Sequence, residues 1–190
     1  MNEKQHLRAA MRKARYEHAD ALPAATRALI LRRPPAPVAD VIPKDAVIGL
    51  YHAAPSEAPA GGYARWFAEQ GYRIALPAFA SRGSAMHFRE WRDAFAGSDL
   101  VGGPYGKQPD DAAELLTPDV VFVPLLAFTA QCARLGQGGG HYDRWLEANS
   151  QARAIGLAWD IQKVPTLPLE PHDVRLSAVV TPTRIYWNED

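Results

Sequence analysis

The sequence predicts a three-layer α/β/α fold with a largely parallel, Rossmann-like central sheet, preceded by basic N-terminal helices. Beyond residue 43, short apolar runs alternate with helical stretches, which is typical of strands joined by crossover helices. Val120–Pro124 (VVFVP) is nearly all apolar, as expected of a central strand covered on both faces. We therefore expect one sheet with helices on both sides.

The helices that precede this region are rich in Arg and Lys. Asn2 and Gln5 have the spacing of a capping box, which indicates a helix that continues to about Glu17. Pro23 suits the start of a second helix, which the Pro34–Pro35 pair must end.

The other elements follow from periodicity and from turn residues. The proline-rich segment 32–43 predicts a stiff, extended connector. A helix is predicted from Gly62 to Gln70 because Gly71 suits the left-handed position just beyond a helix end. A later helix is predicted from His141 to Asn149. The predicted strands are Ala46–Tyr51, Tyr72–Leu76, Met86–Trp91, Val120–Pro124, Ala154–Ala158 and Ala178–Thr181.

Composition limits the partners that the protein can take. The 190 residues suit one globular domain over 1–190, and we expect a monomer. Lys plus Arg and Asp plus Glu both count 21, so no global field gathers nucleic acid or anionic lipid. We expect small-molecule substrates, no nucleic acid and no membrane partner.

The single cysteine, Cys132, excludes an intrachain disulfide and a zinc site built from cysteines. The first residues lack the apolar core of a signal peptide, and no apolar run approaches the roughly 20 residues that span a bilayer. A cytoplasmic protein is expected.

The most informative segment is VPLLAFTAQCARLGQGGGHYDRWL, from Val123 to Leu146. A central strand leads into a loop, then to Gly136-Gln137-Gly138-Gly139-Gly140, and then to a predicted helix. Glycines at such a junction let backbone N–H groups turn towards one point, and the helix N-terminus adds partial positive charge. Arg134 could add a bidentate guanidinium. The segment predicts a phosphate site.

This glycine segment matches neither common phosphate-binding template. No Gly-Lys-Ser/Thr follows, as a Walker A loop requires, and His141 stands where a dinucleotide fingerprint needs glycine. The alternative is a flexible surface loop, but the buried strand before it and Tyr142-Asp143-Arg144 after it favour anion binding.

An acid beside a phosphate site indicates a cation between them. Asp143 could simply complement the helix dipole. A Mg²⁺ ion bound by one or two carboxylates and by phosphate oxygens instead removes the repulsion. Asp173, in the polar turn Glu170-Pro171-His172-Asp173, is the second candidate ligand, although His172-Asp173 alone is more often a satisfied turn pair.

The run VPLLAF…RLGQGGGHYDRWL resembles the signature of the 5-formyltetrahydrofolate cyclo-ligase family, usually VP-x-x-AF-D-x-x-G-x-RLG-x-G-x-GYYD. Further matching segments occur in the family's order along nearly the whole chain. They are Lys4-x-x-Leu7-Arg8, Glu57 after a strand, Leu76-Pro77, Phe88-x-x-Trp91, Tyr105-Gly106, Gly156-Leu157-Ala158, Gln162 and His172-Asp173 before Thr181.

The resemblance implies an ATP- and Mg²⁺-dependent closure of 5-formyltetrahydrofolate to 5,10-methenyltetrahydrofolate, with ADP and phosphate as the other products. The formyl oxygen on N5 is expected to attack the γ-phosphate. N10 then attacks the activated carbon, and phosphate leaves. Formamide oxygen is a poor leaving group, so its phosphorylation explains the need for ATP. Positioning and charge neutralisation would carry most of the catalysis.

The resemblance also assigns roles to residues. Arg134 and Tyr142 are the implied catalytic residues. Asp143 and Asp173 are the implied Mg²⁺ ligands, and Glu57 is implied to bind the folate. ATP is implied to contact Lys4, Arg8, Arg134, Gly136, Gln137, Gly138, Gly139, Gly140, His141 and Tyr142, and the folate to share Gln137, Gly138, Gly139, Gly140 and His141. Without the resemblance, Lys4 and Arg8 would suit a solvated helix face, and Glu57 would suit an ordinary loop. Phe88 and Trp91 suit the core better than a pterin platform.

Several positions depart from the family pattern. Gly139 replaces a lysine that many members carry, which removes one cation that Lys107 or Arg144 could replace. His141 stands for the first tyrosine of the YYD triplet. The others are Thr129 for aspartate, Cys132 for glycine, Gln108-Pro109 for Glu-Pro, and Ala58-Pro59 after Glu57. They bear on turnover and folate affinity more than on the fold.

Two other functions stay open from the sequence. One is a paralogue that binds folate or nucleotide without catalysis, which the departures around the glycine segment favour. The other is a different ATP-dependent ligase or kinase on a similar scaffold.

Overall fold

The computed structural model describes residues 3–170 and 173–189 and contains a large mixed sheet flanked by helices. The helices are α1 (Glu3–Ala21), α2 (Ala24–Leu29), α3 (Ala36–Ala39), α4 (Gly61–Glu69) and α5 (His141–Ala148), with one 3₁₀ turn at Asp160–Gln162. The strands are β1 (Val47–Gly49), β2 (Arg73–Ala78), β3 (His87–Glu90), β4 (Leu100–Gly103), β5 (Gly106–Pro109), β6 (Leu115–Leu116), β7 (Val120–Pro124), β8 (Ala127–Phe128), β9 (Arg134–Leu135), β10 (Arg153–Leu157), β11 (Ala178–Val180) and β12 (Ile185–Trp187).

Eight strands form the main sheet in the order β12-β11-β10-β7-β1-β2-β3-β6. The five from β11 to β2 run parallel to their neighbours, and β12, β3 and β6 add antiparallel strands at the two edges. The largely parallel sheet predicted from the sequence is therefore confirmed. In parallel strands the carboxyl ends meet at one edge, where ligands bind in open α/β sheets.

Both faces of the sheet are covered, as the apolar sequence of β7 predicts. Phe122 points to one face and packs against Tyr63 and Phe67 of α4, with ring centroids 5.3 and 5.6 Å away. Val121 and Val123 point to the other face and belong to a separate cluster of buried residues that includes Leu146 of α5. Alternate residues of one strand thus face opposite helical layers, and the three-layer arrangement is confirmed.

The observed ends of α4 and α5 agree with the prediction to within one residue, whereas α2 ends at Leu29, before the Pro34–Pro35 pair. Gly71 has a φ of +85°, and the amide of Tyr72 bonds to the carbonyl of Phe67, which is the expected left-handed cap of α4. The first helix continues to Ala21, beyond the predicted end near Glu17. Asn2, the predicted capping residue, lies outside the described residues.

The structure corrects the prediction of an extended connector. Residues 36–39 form the short helix α3, whose first turn tolerates Pro37 because that position needs no amide hydrogen bond. Val38 in this helix is fully buried and joins the core cluster around α4. Burial of this side chain gives the proline-rich segment a fixed place on the sheet. Among the described residues, no helix combines the length and the apolar character needed to cross a bilayer.

Candidate active site

A cleft of about 550 Å³ opens at the carboxyl ends of the parallel strands. Tyr51 follows β1, Pro77 lies near the end of β2 and Pro124 ends β7, and all three line the cleft. Each residue that the sequence assigned to the site also lines it. These residues are Lys4, Arg8, Glu57, Arg134, Gly136, Gln137, Gly138, Gly139, Gly140, His141, Tyr142, Asp143 and Asp173.

The glycine loop, residues 136–140, connects β9 to α5 along one wall of the cleft. Gly138 and Gly140 have φ values of +109° and +62°, which glycine adopts at little cost. Gly140 is the N-cap of α5 and makes no side-chain cap. Within the part of the chain that the structure describes, no acceptor receives a hydrogen bond from the amides of residues 137–141. Residues 137–141 line the cleft, and their partnerless amide donors suit an anion.

Two arginine side chains donate hydrogen bonds to backbone carbonyl oxygens of the glycine loop. Arg8 on α1 donates from Nε to the carbonyl oxygen of Gly136 at 3.1 Å. Arg144 donates from Nη2 to the carbonyl oxygen of Gly139 at 2.8 Å. Both bonds occupy carbonyl oxygens, which keeps negative charge turned away from the unpaired amides.

Buried Arg134 pairs with Asp143 across the start of α5. The guanidinium Nη2 donates to Oδ1 of Asp143, and the Arg134 side chain is 3% exposed. The guanidinium carbon also lies 5.8 Å from the centre of the Tyr142 ring. The pair holds one positive and one negative group at the floor of the cleft next to the glycine loop.

Lys4 of α1 reaches the loop before β11. Its ammonium lies 2.6 Å from Oε2 of Glu170 and 2.7 Å from Oδ2 of Asp173. Burial alone would lower the pKa of Lys4, but hydrogen bonds to Asp173 and Glu170 outweigh this effect and raise the pKa. The first helix and the segment near residue 170 therefore meet at the cleft through a charged cluster.

Asp143 and Asp173, the two predicted Mg²⁺ ligands, are carboxylates that line the same cleft. Mg²⁺ commonly takes one or two carboxylates and completes its octahedron with phosphate oxygens and water. Each carboxylate is paired with a cation, Asp143 with Arg134 and Asp173 with Lys4. Across residues 3–170 and 173–189, no three His, Cys, Asp or Glu side chains converge as a ready metal centre. The donors suit an ion that arrives together with a phosphate ligand.

Glu57 lines the cleft from the loop after β1. Its Oε1 accepts a hydrogen bond from Nε2 of Gln137 at 3.2 Å, which joins this loop to the glycine loop. Its Oε2 accepts the amide of Ala54 at 2.9 Å. The loop itself is fixed by Trp159, whose Nε1 donates to the carbonyl of Ser56 at 3.0 Å.

Three ring side chains, which we call the aromatic group, form another wall of the cleft. The rings of Phe79, Tyr105 and His141 lie with centroids 4.7 to 5.1 Å apart. Burial and the neighbouring Arg144 lower the pKa of His141, which favours the neutral ring. Loss of solvent contact, together with Glu57, raises the pKa of Tyr142. Both groups are therefore uncharged at neutral pH and can face a planar ligand.

Two departures from the family pattern have a local explanation. A Cβ atom at Gly139 would lie 2.7 Å from Cδ2 of His141, so the imidazole takes the space beside residue 139. Gln108 accepts the amide of Phe79 and donates to its carbonyl, both at 3.1 Å. An amide side chain can do both, whereas a carboxylate could only accept.

Three residues that no sequence motif indicates complete the site. Arg15, Tyr51 and Phe79 carried no motif, yet Tyr51 and Phe79 line the cleft and Arg15 contacts Glu57. Phe88 and Trp91 are buried at 1% and 8% exposure in the core clusters, which confirms that they are core residues.

Comparison with known proteins gives related sequences and folds. The 5-formyltetrahydrofolate cyclo-ligase of Escherichia coli K12 is 42% identical over 78 residues, which cover 40% of this chain and 43% of that protein. That of Mycolicibacterium smegmatis is 33% identical over 122 residues, which cover 61% of this chain and 63% of that protein. The chain therefore spans 43% and 63% of the length of these two curated relatives.

A solved structure of 5,10-methenyltetrahydrofolate synthetase from Aquifex aeolicus has the same fold, with a TM-score of 0.75 at 21% identity over 98% of this chain and 93% of that one. The Mycoplasma pneumoniae synthetase gives a TM-score of 0.66 at 22% identity over 99% and 100%. Residues 1–182 match the model that describes the 5-formyltetrahydrofolate cyclo-ligase family as a whole. This chain belongs to the 5-formyltetrahydrofolate cyclo-ligase family.

Proposed function

We propose that the protein is a 5-formyltetrahydrofolate cyclo-ligase that uses ATP and Mg²⁺ to form 5,10-methenyltetrahydrofolate, ADP and phosphate. The observation that carries the proposal is the row of unpaired amides at residues 137–141, in a cleft that also holds Arg8, Arg134 and Lys4. Free N–H donors at a helix N-terminus and nearby cations suit a triphosphate. Membership of the family supports the choice of substrate.

The nucleotide would occupy the side of the cleft formed by the glycine loop and α1. The amides of Gly138 and Gly140 would bind phosphate oxygens, and Lys4 and Arg8 would add charge. Asp143 and Asp173 would hold Mg²⁺, which would neutralise charge on the phosphates. Arg134 would leave part of its pairing with Asp143 and turn towards the γ-phosphate.

The folate would occupy the side formed by Glu57 and the aromatic group. Glu57 would accept hydrogen bonds from ligand N–H groups, and the rings of Phe79, Tyr105 and His141 would flank a planar ring. The 3.2 Å hydrogen bond between Gln137 and Glu57 joins the two halves of the cleft. It supports a geometry in which the N5-formyl group meets the γ-phosphate.

In the first step the formyl oxygen attacks the γ-phosphorus, an O–P bond forms and ADP leaves with the electron pair of the broken bond. In the second step N10 attacks the formyl carbon and loses its proton, while phosphate leaves with its oxygen. The chain's own groups would position the reactants and neutralise charge, and we assign Arg134 and Tyr142 to the developing negative charge.

The test is a spectroscopic assay with purified protein, 5-formyltetrahydrofolate, ATP and Mg²⁺. We expect the methenyl absorbance to appear only when all four are present, with one ADP per product. Chelation of Mg²⁺ and substitution of ATP by a non-hydrolysable analogue are the controls. Binding of both ligands without turnover would support a non-catalytic paralogue. Turnover of ATP without competition from formyltetrahydrofolate would support a different ligase or kinase.

A further inference from the structure

Arg15 lies on the buried side of α1 and belongs to none of the motifs that point to the cleft. The residue is only 4% exposed, whereas the side chain of Lys13 on the same helix is 77% exposed. Arginine is rarely buried unless its charge is paired. The groups around Arg15 therefore explain its position.

The guanidinium of Arg15 faces the loop that carries Glu57. Its Nη1 lies 3.5 Å from Oε1 of Glu57 and donates to the carbonyl oxygen of Leu125 at 3.3 Å. Leu125 directly follows β7, so the arginine is anchored to the end of the central strand. The side chain of Glu57 is 12% exposed, which keeps water from weakening the attraction.

The described surroundings of Arg15 do not satisfy all of its hydrogen-bond donors. Its buried Nε donates to no acceptor among residues 3–170 and 173–189. A buried N–H group without a partner reduces stability, and burial lowers the pKa of this guanidinium even beside Glu57. Because the buried guanidinium reduces stability, its effect on the neighbouring Glu57 carboxylate best explains its presence.

Three groups together orient the Glu57 carboxylate. Arg15 and Gln137 approach Oε1, and the amide of Ala54 approaches Oε2. A carboxylate can accept about four hydrogen bonds, two on each oxygen. Because Arg15 and Gln137 both approach Oε1, the acceptor position left for a ligand lies on Oε2. Without the positive charge of Arg15, only the hydrogen bonds from Gln137 and Ala54 would orient the carboxylate.

We propose that Arg15 is a positioning residue for the folate: it holds the Glu57 carboxylate in the orientation that binds N–H donors of the pterin-type ring. Arg15 acts through Glu57 and does not itself touch the substrate. This inference rests on the proposed function, because it assigns the Glu57 side of the cleft to the folate. It also predicts that α1, which would approach the nucleotide through Lys4 and Arg8, affects folate binding as well.

The test compares Arg15→Met, Arg15→Lys and, as a matched control on the same helix, Lys13→Met. The dissociation constant of 5-formyltetrahydrofolate is measured by calorimetry without ATP, and that of ATP is measured separately. We expect Arg15→Met to weaken folate binding about tenfold with little change for ATP. Arg15→Lys should recover part of the loss because it keeps the charge, and Lys13→Met should match the unmodified protein.

A double-mutant cycle separates positioning from a general loss of structure. In a Glu57→Gln background, Arg15→Met should change folate binding by less than about twofold, because the group through which it acts is altered. Equal losses in both backgrounds, or equal losses for folate and ATP, would overturn the proposal. If Arg15→Met does not fold, Arg15→Lys takes its place in the cycle.

Failure of the proposed function gives a different result. A protein that binds no 5-formyltetrahydrofolate at all contradicts the assigned substrate. The same cycle is then read from thermal unfolding. Arg15→Met and Glu57→Gln should lower Tm by less than the sum of their separate effects if the two side chains act as a unit. Additive losses would overturn the link between Arg15 and Glu57.

Discussion

The cleft contains acids and bases that neutralise one another. Arg134 pairs with Asp143, Lys4 with Asp173 and Glu170, and Arg15 with Glu57. A polyanionic ligand competes with these carboxylates for the same cations. A divalent ion that binds the carboxylates releases the cations for the phosphates, which gives a physical reason to expect nucleotide and metal to bind together.

Asp143→Asn should weaken the use of Mg-ATP by at least about tenfold, because it removes a negatively charged metal ligand. Steady-state kinetics at several Mg²⁺ concentrations check this prediction. An effect on metal binding is partly reversed by more Mg²⁺.

Asp143→Asn also leaves Arg134 without its charged partner. Thermal unfolding of the variant measures the effect of the lost ion pair separately from that on metal binding. Kinetics of Asp143→Asn that match the unmodified protein, or a loss that excess Mg²⁺ does not change, would contradict the metal assignment.

Glu57→Ala should raise the KM for 5-formyltetrahydrofolate with little change in the KM for ATP. The substitution removes the acceptor on the folate side and leaves the unpaired amides of residues 137–141 in place. Initial rates with one substrate varied at a time measure both constants. Similar increases for the two substrates would argue against a folate-facing role.

Cys132 should not react with alkylating reagents in the folded protein. It is fully buried, its thiol donates to the carbonyl of Tyr186 at 3.3 Å, and burial raises its pKa to about 11. At pH 8 only about one thiol in a thousand would be ionised, and the thiolate is the reactive form. Mass spectrometry after iodoacetamide treatment should find modification only in denaturant; rapid modification of native protein would disprove this.

Most of the site could be predicted from the sequence because its residues lie in short motifs with fixed spacing. The glycine loop, Tyr142 and Asp143 are consecutive, and Lys4 and Arg8 lie on one turn of a helix. Arg15 and Phe79 could not be found this way. Arg15 looks like any other basic residue of α1, and only the path of the chain brings it to Glu57, 42 positions later.

At the scale of elements, the glycine loop depends on a backbone that other residues adopt poorly. Gly140→Ala should weaken ATP binding, because Gly140 has a φ of +62° and a Cβ there would lie 2.7 Å from Nη1 of Arg144. Gly71→Ala is the matched control, since Gly71 has a φ of +85° with nothing within 4 Å of an added Cβ.

Both glycine substitutions should cost about 1–2 kcal/mol of stability from the left-handed backbone. Thermal unfolding checks this cost, and calorimetric titration with Mg-ATP checks the difference between them. Equal ATP affinities in the two variants would mean that the loop backbone does not bind the nucleotide.

The long apolar strands and the helices between them were predicted well, with β7 matching at both ends. The hairpins β4–β5 and β8–β9 were not predicted, because strands of two to four residues carry too little alternation to be recognised. The edge strand β12 was also missed. Its place depends on antiparallel pairing with β11, a contact that local sequence does not encode.

At the scale of the molecule, one domain over residues 1–190 and a monomer stay predictions. Calorimetric unfolding should give one transition whose calorimetric and van't Hoff enthalpies agree, and light scattering should give a mass near 20.8 kDa. Mg-ATP at about 100 times its dissociation constant should stabilise the protein by about 2.7 kcal/mol. Two separate transitions, or a mass twice as large, would contradict the respective prediction.

The pairing of Lys4 with Asp173 joins positions 169 residues apart. During translation the lysine leaves the ribosome long before the aspartate has been added to the growing polypeptide. The nascent chain therefore has an incomplete cleft until nearly all of this sequence has been synthesised, although much of the central sheet can form earlier. Ribosome-bound intermediates should therefore bind nucleotide weakly. Tight binding should appear only when the strand that follows Asp173 has emerged.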